Sequence, residues 1–150
     1  MRAVIQRVSD ASVTVHGQLI GSIEHGLLVY VGVTHSDTEK DVSYMAHKIV
    51  NMRVFEDDQG KMNLSLKDIG GKMLVVSQFT LYGDMNKGHR PSFNKAAEPK
   101  QAHALYELFM KEVEQKEVEV QTGLFGEHMK VAYTNDGPVT IVLDSPQREV

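Results

Sequence analysis

Two short stretches of this chain are apolar at every position or nearly so, and they decide most of what it can fold into. They are Leu27-Leu28-Val29-Tyr30-Val31 and Met73-Leu74-Val75-Val76. Runs of this length rich in branched residues predict strands rather than helices, and strands apolar on both faces must be covered on both faces. An open sheet with one wet side is therefore excluded. The fold needs one layer above these strands and one below.

The flanking sequence supplies the layers. Val4, Gln6 and Val8 alternate with Ala3, Ile5 and Arg7, which predicts a strand at the start of the chain. Val13 and Val15 extend it, His16-Gly17-Gln18 reads as a turn, and Leu19 to Ile23 as the return strand. Val42, Met45, Ala46 and Ile49 recur at helical spacing. Ser36-Asp37-Thr38 offers N-cap candidates, and Ser36 with Glu39 has capping-box spacing. Val54-Phe55 reads as a short strand and residues 57–60 as a turn. Residues 83–98 have no apolar period and read as a long loop. Pro99 then opens a second helix with Ala102, Leu105, Tyr106, Phe109 and Val113 on one face. Val118 and Val120 mark a strand, Met129 to Thr134 another and Val139 to Leu143 the last, with Asn135-Asp136-Gly137-Pro138 as a turn between the last two. The order predicts an α/β fold, a layered β/β/α single domain of mixed sheet over residues 1–150. Its two main helices lie on one side, and sheet packs on sheet elsewhere. An exposed apolar sheet face predicts a homodimer. Residues 146–150 read as a flexible tail.

Composition removes several chemistries. The 150 residues contain no cysteine. A disulfide framework, a cysteine zinc site and a thiol nucleophile are excluded, and a cytoplasmic location is expected. The net charge of -4 excludes a uniformly basic nucleic-acid coat protein. No apolar run approaches the roughly 20 residues of a membrane-spanning helix. None of the seven histidines pairs at His-x-x-x-His spacing, and Asp57-Asp58 near Asn63 lacks the acidic ladder of a calcium loop. No metal and no cofactor are expected. Neither a Gly-x-Ser-x-Gly elbow nor a phosphate-binding Gly-rich loop occurs.

Three segments could carry chemistry. Ser77-Gln78-Phe79-Thr80 stands where a buried strand gives way to a polar loop, the usual place for functional groups in α/β folds. Its hydroxyls, amide and backbone N–H groups can hold a carbonyl oxygen; a plain strand end is the alternative. Gly137-Pro138-Val139-Thr140 is the second. Its glycine lets backbone approach a ligand, and a cis bond there would present rigid carbonyls; an ordinary trans turn is the alternative. The third is Lys87-Gly88-His89-Arg90-Pro91-Ser92-Phe93-Asn94-Lys95. It is a basic stretch in an acidic chain, suited to phosphate or an unstacked base, or else simply solvated.

Taken together with Met1-Arg2-Ala3-Val4-Ile5-Gln6-Arg7-Val8, Thr122-Gly123 through Phe125-Gly126 and Met129-Lys130-Val131, these segments resemble the D-aminoacyl-tRNA deacylases from Met1 to about Ser145. The resemblance implies a cytoplasmic homodimeric editing hydrolase. It would cleave the ester of D-aminoacyl-tRNA, and of glycine mischarged on tRNA, releasing amino acid and tRNA. It implies catalytic groups at Ser77, Gln78, Phe79 and Thr80. Gly137 and Pro138, cis in the family, would reach with Val139 and Thr140 into the partner's pocket and reject L-amino acids. Arg7 would hold that pair, and Phe125 and Met129 would lie near the pocket. Lys87, His89, Arg90, Ser92 and Lys95 would meet the tRNA. Two other readings stay open: a non-catalytic tRNA or ribosome-associated binding module, and a small-molecule esterase with Thr80 as nucleophile.

Overall fold

The computed structural model describes residues 1–146. It is built on one long pair of strands. β1 (Arg2–Val15) and β8 (Lys130–Asp144) run antiparallel from Arg2 opposite Asp144 to Thr14 opposite Lys130. The other edge of β1 is shared. Its first half pairs with β3 (Gly26–Gly32), and its second half with β2 (Gln18–Ile23). β6 (Lys72–Ser77) joins β3 in parallel, and β7 (Val120–Thr122) joins β6 in parallel. β2 also packs against β6 and β7, so the mixed sheet curls until it is nearly closed.

The two apolar runs form the central strands β3 and β6, and each has both of its layers. Leu27, Val29, Val31, Met73 and Val75 face α1 (Glu39–Asn51) and α3 (Pro99–Gln115), which lie together on one side. Leu28, Leu74 and Val76 face a second core inside the curl, with Val8, Val13, Val15 and Ile23. Leu27, Leu28, Val29, Leu74 and Val75 have no exposed surface. Each such side chain contributes roughly 1.5–3 kcal/mol by burial.

Three local details differ from the sequence expectation. α1 is capped by Thr38 with Asp41, not by Ser36 with Glu39: the Thr38 N–H donates to the Asp41 carboxylate at 2.8 Å. The start is displaced because the Asp37 carboxylate accepts from Thr34 N–H (2.8 Å) and from the Met1 ammonium (2.6 Å), which fixes residues 34–37 outside the helix. A small excursion, β4 (Phe55–Glu56), β5 (Met62–Leu64) and α2 (Leu66–Ile69), follows α1; its pieces are too short to show a period. Asn135-Asp136-Gly137-Pro138 is not a turn between two strands. It lies inside β8, which keeps its direction because β1 offers it one continuous partner.

No helix among the described residues is long and apolar enough to cross a membrane. Of the expected tail, Pro146 is exposed and 147–150 lie outside the described residues.

Candidate active site

β6 ends at Ser77, and the chain turns at once into a single 3-10 turn, Phe79–Tyr82. Gln78 N–H donates to Val31 O at 2.8 Å, Leu81 N–H to Gln78 O at 3.3 Å, and Gly83 N–H to Thr80 O at 2.9 Å. The first N–H groups of a helical turn have no intrahelical acceptor. Those of Phe79 and Thr80 make no hydrogen bond among the described residues. Two adjacent free amides at a strand end are the raw material of an oxyanion site.

Beside this turn lies a cleft of about 630 Å³. Ser77, Gln78 and Phe79 form one wall, Phe125 and Met129 another, and Ala97 with Pro99 and Ala102 from the start of α3 a third. Aromatic contacts shape it. Phe93 meets Phe79 edge to face, with centroids 5.1 Å apart. Phe125 stacks on His103 at 4.5 Å and tilts against Tyr106 at 5.8 Å. Tyr106 is buried, and its hydroxyl donates to Val75 O at 3.0 Å and also meets the Thr122 hydroxyl. Burial raises the Tyr106 pKa against the opposing Thr122 hydrogen bond, so the phenol stays a neutral donor that ties α3 to β6.

Gly137 and Pro138 are elsewhere in the chain's own structure. Between Gln6 opposite Thr140 and Val8 opposite Asn135, the four residues 136–139 face Arg7 alone and stand out from the ladder. The Gly137-Pro138 peptide is cis. Arg7 is buried and grips this excursion: Nε donates to Asp136 O at 3.0 Å, and Nη1 to Val54 O at 2.7 Å. The Asn135 side chain closes the base, accepting from Val139 N–H (3.2 Å) and donating to the Thr140 hydroxyl (3.1 Å). In the sheet order β1 and β3 stand between β8 and β6, and although Val131 at the start of β8 lines the cleft, the excursion lies farther along that strand. None of Arg7, Gly137, Pro138, Val139 and Thr140 lines the cleft.

The model of the family described as D-Tyr-tRNA(Tyr) deacylase matches residues 4–144. The chain belongs to this family. It is 61% identical over 145 residues to a D-aminoacyl-tRNA deacylase of Clostridioides difficile, covering 97% of each chain. It is 59% identical to one of Desulfotalea psychrophila, again over 97% of each. Among solved structures, the c-Myc DNA unwinding element binding protein superposes with a TM-score of 0.92 at 43% identity, over 98% of this chain and all of that one.

Within this deacylase-family chain, the expected site residues fall into three groups. Ser77, Gln78, Phe79, Phe125 and Met129 are together at the cleft. Thr80 is exposed and does not line it, and its hydroxyl accepts from the Gln78 side-chain amide. An amide does not take a proton, so that contact gives Thr80 no activating base. Lys87, His89 and Arg90 are exposed at the tip of the 83–98 loop. Ser92 pairs with Asp84 through both backbone bonds (2.7 and 2.9 Å), and the Lys95 ammonium lies 3.5 Å from the Asp84 carboxylate. The Asn86 backbone N–H, and after it Lys95, lower the Asp84 pKa, so the loop base stays ionised. Through Phe93 the loop continues into the cleft wall. Sequence reasoning passed over His103, whose helical spacing beside Ala102 gave no sign of a ring stack with a residue 22 positions on.

Proposed function

We propose that this chain hydrolyses the ester bond of D-aminoacyl-tRNA in the cytoplasm. The reading is carried by the two free amides of Phe79 and Thr80 at the edge of an aromatic cleft, in a chain that is about 60% identical over nearly its whole length to named deacylases. Water adds to the ester carbonyl, and the two amides stabilise the oxyanion. The bond to the terminal ribose 3′-oxygen breaks, that oxygen takes a proton, and the free D-amino acid and tRNA leave. The neighbouring 2′-hydroxyl of the substrate assists the water. An aminoacyl ester is already reactive, so carbonyl polarisation and positioning suffice. Thr80→Ala therefore keeps single-turnover deacylation within about threefold of wild type. A loss of two orders of magnitude with binding intact would assign the hydroxyl a chemical role.

Stereochemical selection comes from the 136–139 excursion of a second copy. β8 has an unpaired outer edge among the described residues, with Val142 63% exposed and Tyr133 38% exposed. Apposition of two such edges would bring Gly137 and Pro138 to the partner's cleft, where their carbonyls take the substrate amino group and leave no space for an L side chain. Glycine passes. Deacylation assays on D-tyrosyl-, L-tyrosyl- and glycyl-tRNA test this directly: turnover of the first and third with the second spared is expected, and equal turnover of D and L forms overturns the filter.

The exposed Lys87, His89 and Arg90 take the acceptor-stem backbone. Replacing Lys87 and Arg90 by alanine raises KM, leaves kcat unchanged and flattens the slope of log affinity against log salt by about 1.5–2. An unchanged slope places the tRNA elsewhere. The name of the structurally similar unwinding-element binding protein favours one competing reading, a nucleic-acid binding module. Such a module would protect D-tyrosyl-tRNA from hydrolysis instead of accelerating it.

A further inference from the structure

We infer that Arg2 and Gly32 are positioning residues for the reaction, forming a two-residue seat that aligns the 79–82 turn and its free amides. The inference deepens the deacylase reading and rests on it.

Arg2 and Gly32 are cross-strand partners at the end of the β1–β3 ladder. The turn lies across this pair. At Gly32 it comes down on the bare backbone: a Cβ there would lie 3.0 Å from Gln78 O, 3.1 Å from Leu81 Cβ and 3.3 Å from Tyr82 Cδ2. At Arg2 it is held by the guanidinium. Nη1 donates to Leu81 O at 3.1 Å, and the cation lies 5.2 Å from the Tyr82 ring centroid. Leu81 O belongs to the end of the turn, where carbonyls lack intrahelical donors. Arg2 supplies one. The guanidinium is itself fixed from the other side. Asp144, its ladder partner on β8, accepts from Nε at 2.8 Å and from Nη2 at 3.5 Å. The planar fork presents separate nitrogens to the two partners in fixed directions, whereas a lysine gathers its three donors on one nitrogen.

The seat touches residues 78, 81 and 82, while the free amides belong to 79 and 80. Arg2 and Gly32 do not line the cleft, so neither reaches the substrate. Their action is through the direction of the amides. Oxyanion donors act only where they are aimed, and a displacement of about 1 Å at a reacting centre can cost 10²-fold.

The test uses Arg2→Gln, Arg2→Lys, Gly32→Ala and the Arg2→Gln/Gly32→Ala pair in the full chain. Single-turnover deacylation of D-tyrosyl-tRNA, KM, Tm and amide hydrogen exchange at residues 79–82 are measured. Arg2→Gln and Gly32→Ala should each lower kcat by about 10- to 100-fold with KM nearly unchanged, and the Leu81 amide, which is bonded to Gln78 O within the turn, should exchange faster. Arg2→Lys restores Tm through Asp144 but not kcat. The double variant is no worse than the poorer single one, because both substitutions release the same turn. Unchanged kcat in folded variants, a change in KM alone, or additive losses overturns the inference. Should Arg2→Gln not fold, Arg2→Lys and Gly32→Ala carry the comparison. If the wild-type chain leaves D-tyrosyl-tRNA intact, the deacylase reading fails. Amide exchange still reports independently whether the seat holds the turn.

Discussion

Gly137→Ala lowers deacylation of D-aminoacyl-tRNA by about 10²-fold and collapses the discrimination between D and L substrates, while the chain stays folded. The backbone at Gly137 has φ +126°, a conformation that L side chains rarely adopt. A Cβ there would also sit 2.9 Å from Arg7 Nη2, 3.0 Å from Val139 Cγ2 and 3.1 Å from Val139 N. The alanine cannot be absorbed by a flexible tip, because the guanidinium is held on two carbonyls. The excursion must move instead. Gly137 and Pro138 are exposed and outside both cores, so Tm falls by only a few degrees, about 2–4 °C per kcal/mol for a chain of this size. A complementation experiment separates one chain from two. Ala102→Trp fills the cleft from α3, and mixing that chain with Gly137→Ala recovers about a quarter of wild-type activity by random pairing if the excursion serves the partner's cleft. Absence of recovery, with mixed dimers demonstrated, places both elements of each site in one chain. Unchanged rate and selectivity in Gly137→Ala would remove the excursion from the reaction.

Much of the framework was legible because it is repetitive. The two apolar runs required two covering layers, and both layers exist. Helical spacing at Val42, Met45, Ala46 and Ile49 and at Leu105, Tyr106, Phe109 and Val113 located α1 and α3, because one face of each is buried. The illegible parts depend on single residues with distant partners. Ser36 and Thr38 are equivalent as cap candidates until Asp37 is known to be engaged with the N-terminus and Thr34. Asn-Asp-Gly-Pro has the composition of a reversal. Only the length of β1, set far away in sequence, turns it into an excursion inside a strand. The cleft shows the same division. Ser77 to Phe79 announced themselves by standing at the end of a buried strand, and the family resemblance pointed to Phe125 and Met129. The wall from Ala97, Pro99 and Ala102 is apolar helix start and loop, which carries no chemical signature.

Arg7→Leu has the largest effect on stability. Arg7 stands on the face of β1 that also carries Ala3 and Ile5, and only 6% of it is exposed. A leucine of similar reach fits an apolar face, and replacing a buried charge by a hydrophobic residue can stabilise a protein. That gain needs the charge's partners to be removed with it. Here the partners are two main-chain carbonyls, Val54 O at 2.7 Å and Asp136 O at 3.0 Å, which stay in place when the side chain changes. Val54 O has no other donor among the described residues. The Asp136 carboxylate at 3.6 Å is half exposed and adds little. A carbonyl left without a donor costs about 1–3 kcal/mol, so the substitution is expected to cost about 3 kcal/mol in all and to lower Tm by about 6–12 °C. Deacylation falls as well, since the excursion loses its clamp. Arg7→Lys distinguishes the two consequences: its three donors sit on one nitrogen, which can take the place of Nη1 at Val54 O but not also that of Nε at Asp136 O, so most of the Tm returns while activity stays low. Thermal unfolding and single-turnover deacylation, measured on both variants, decide the matter. A leucine variant as stable as wild type would mean that the two carbonyls find other donors, and a lysine variant with full activity would mean that the excursion holds its shape without Arg7.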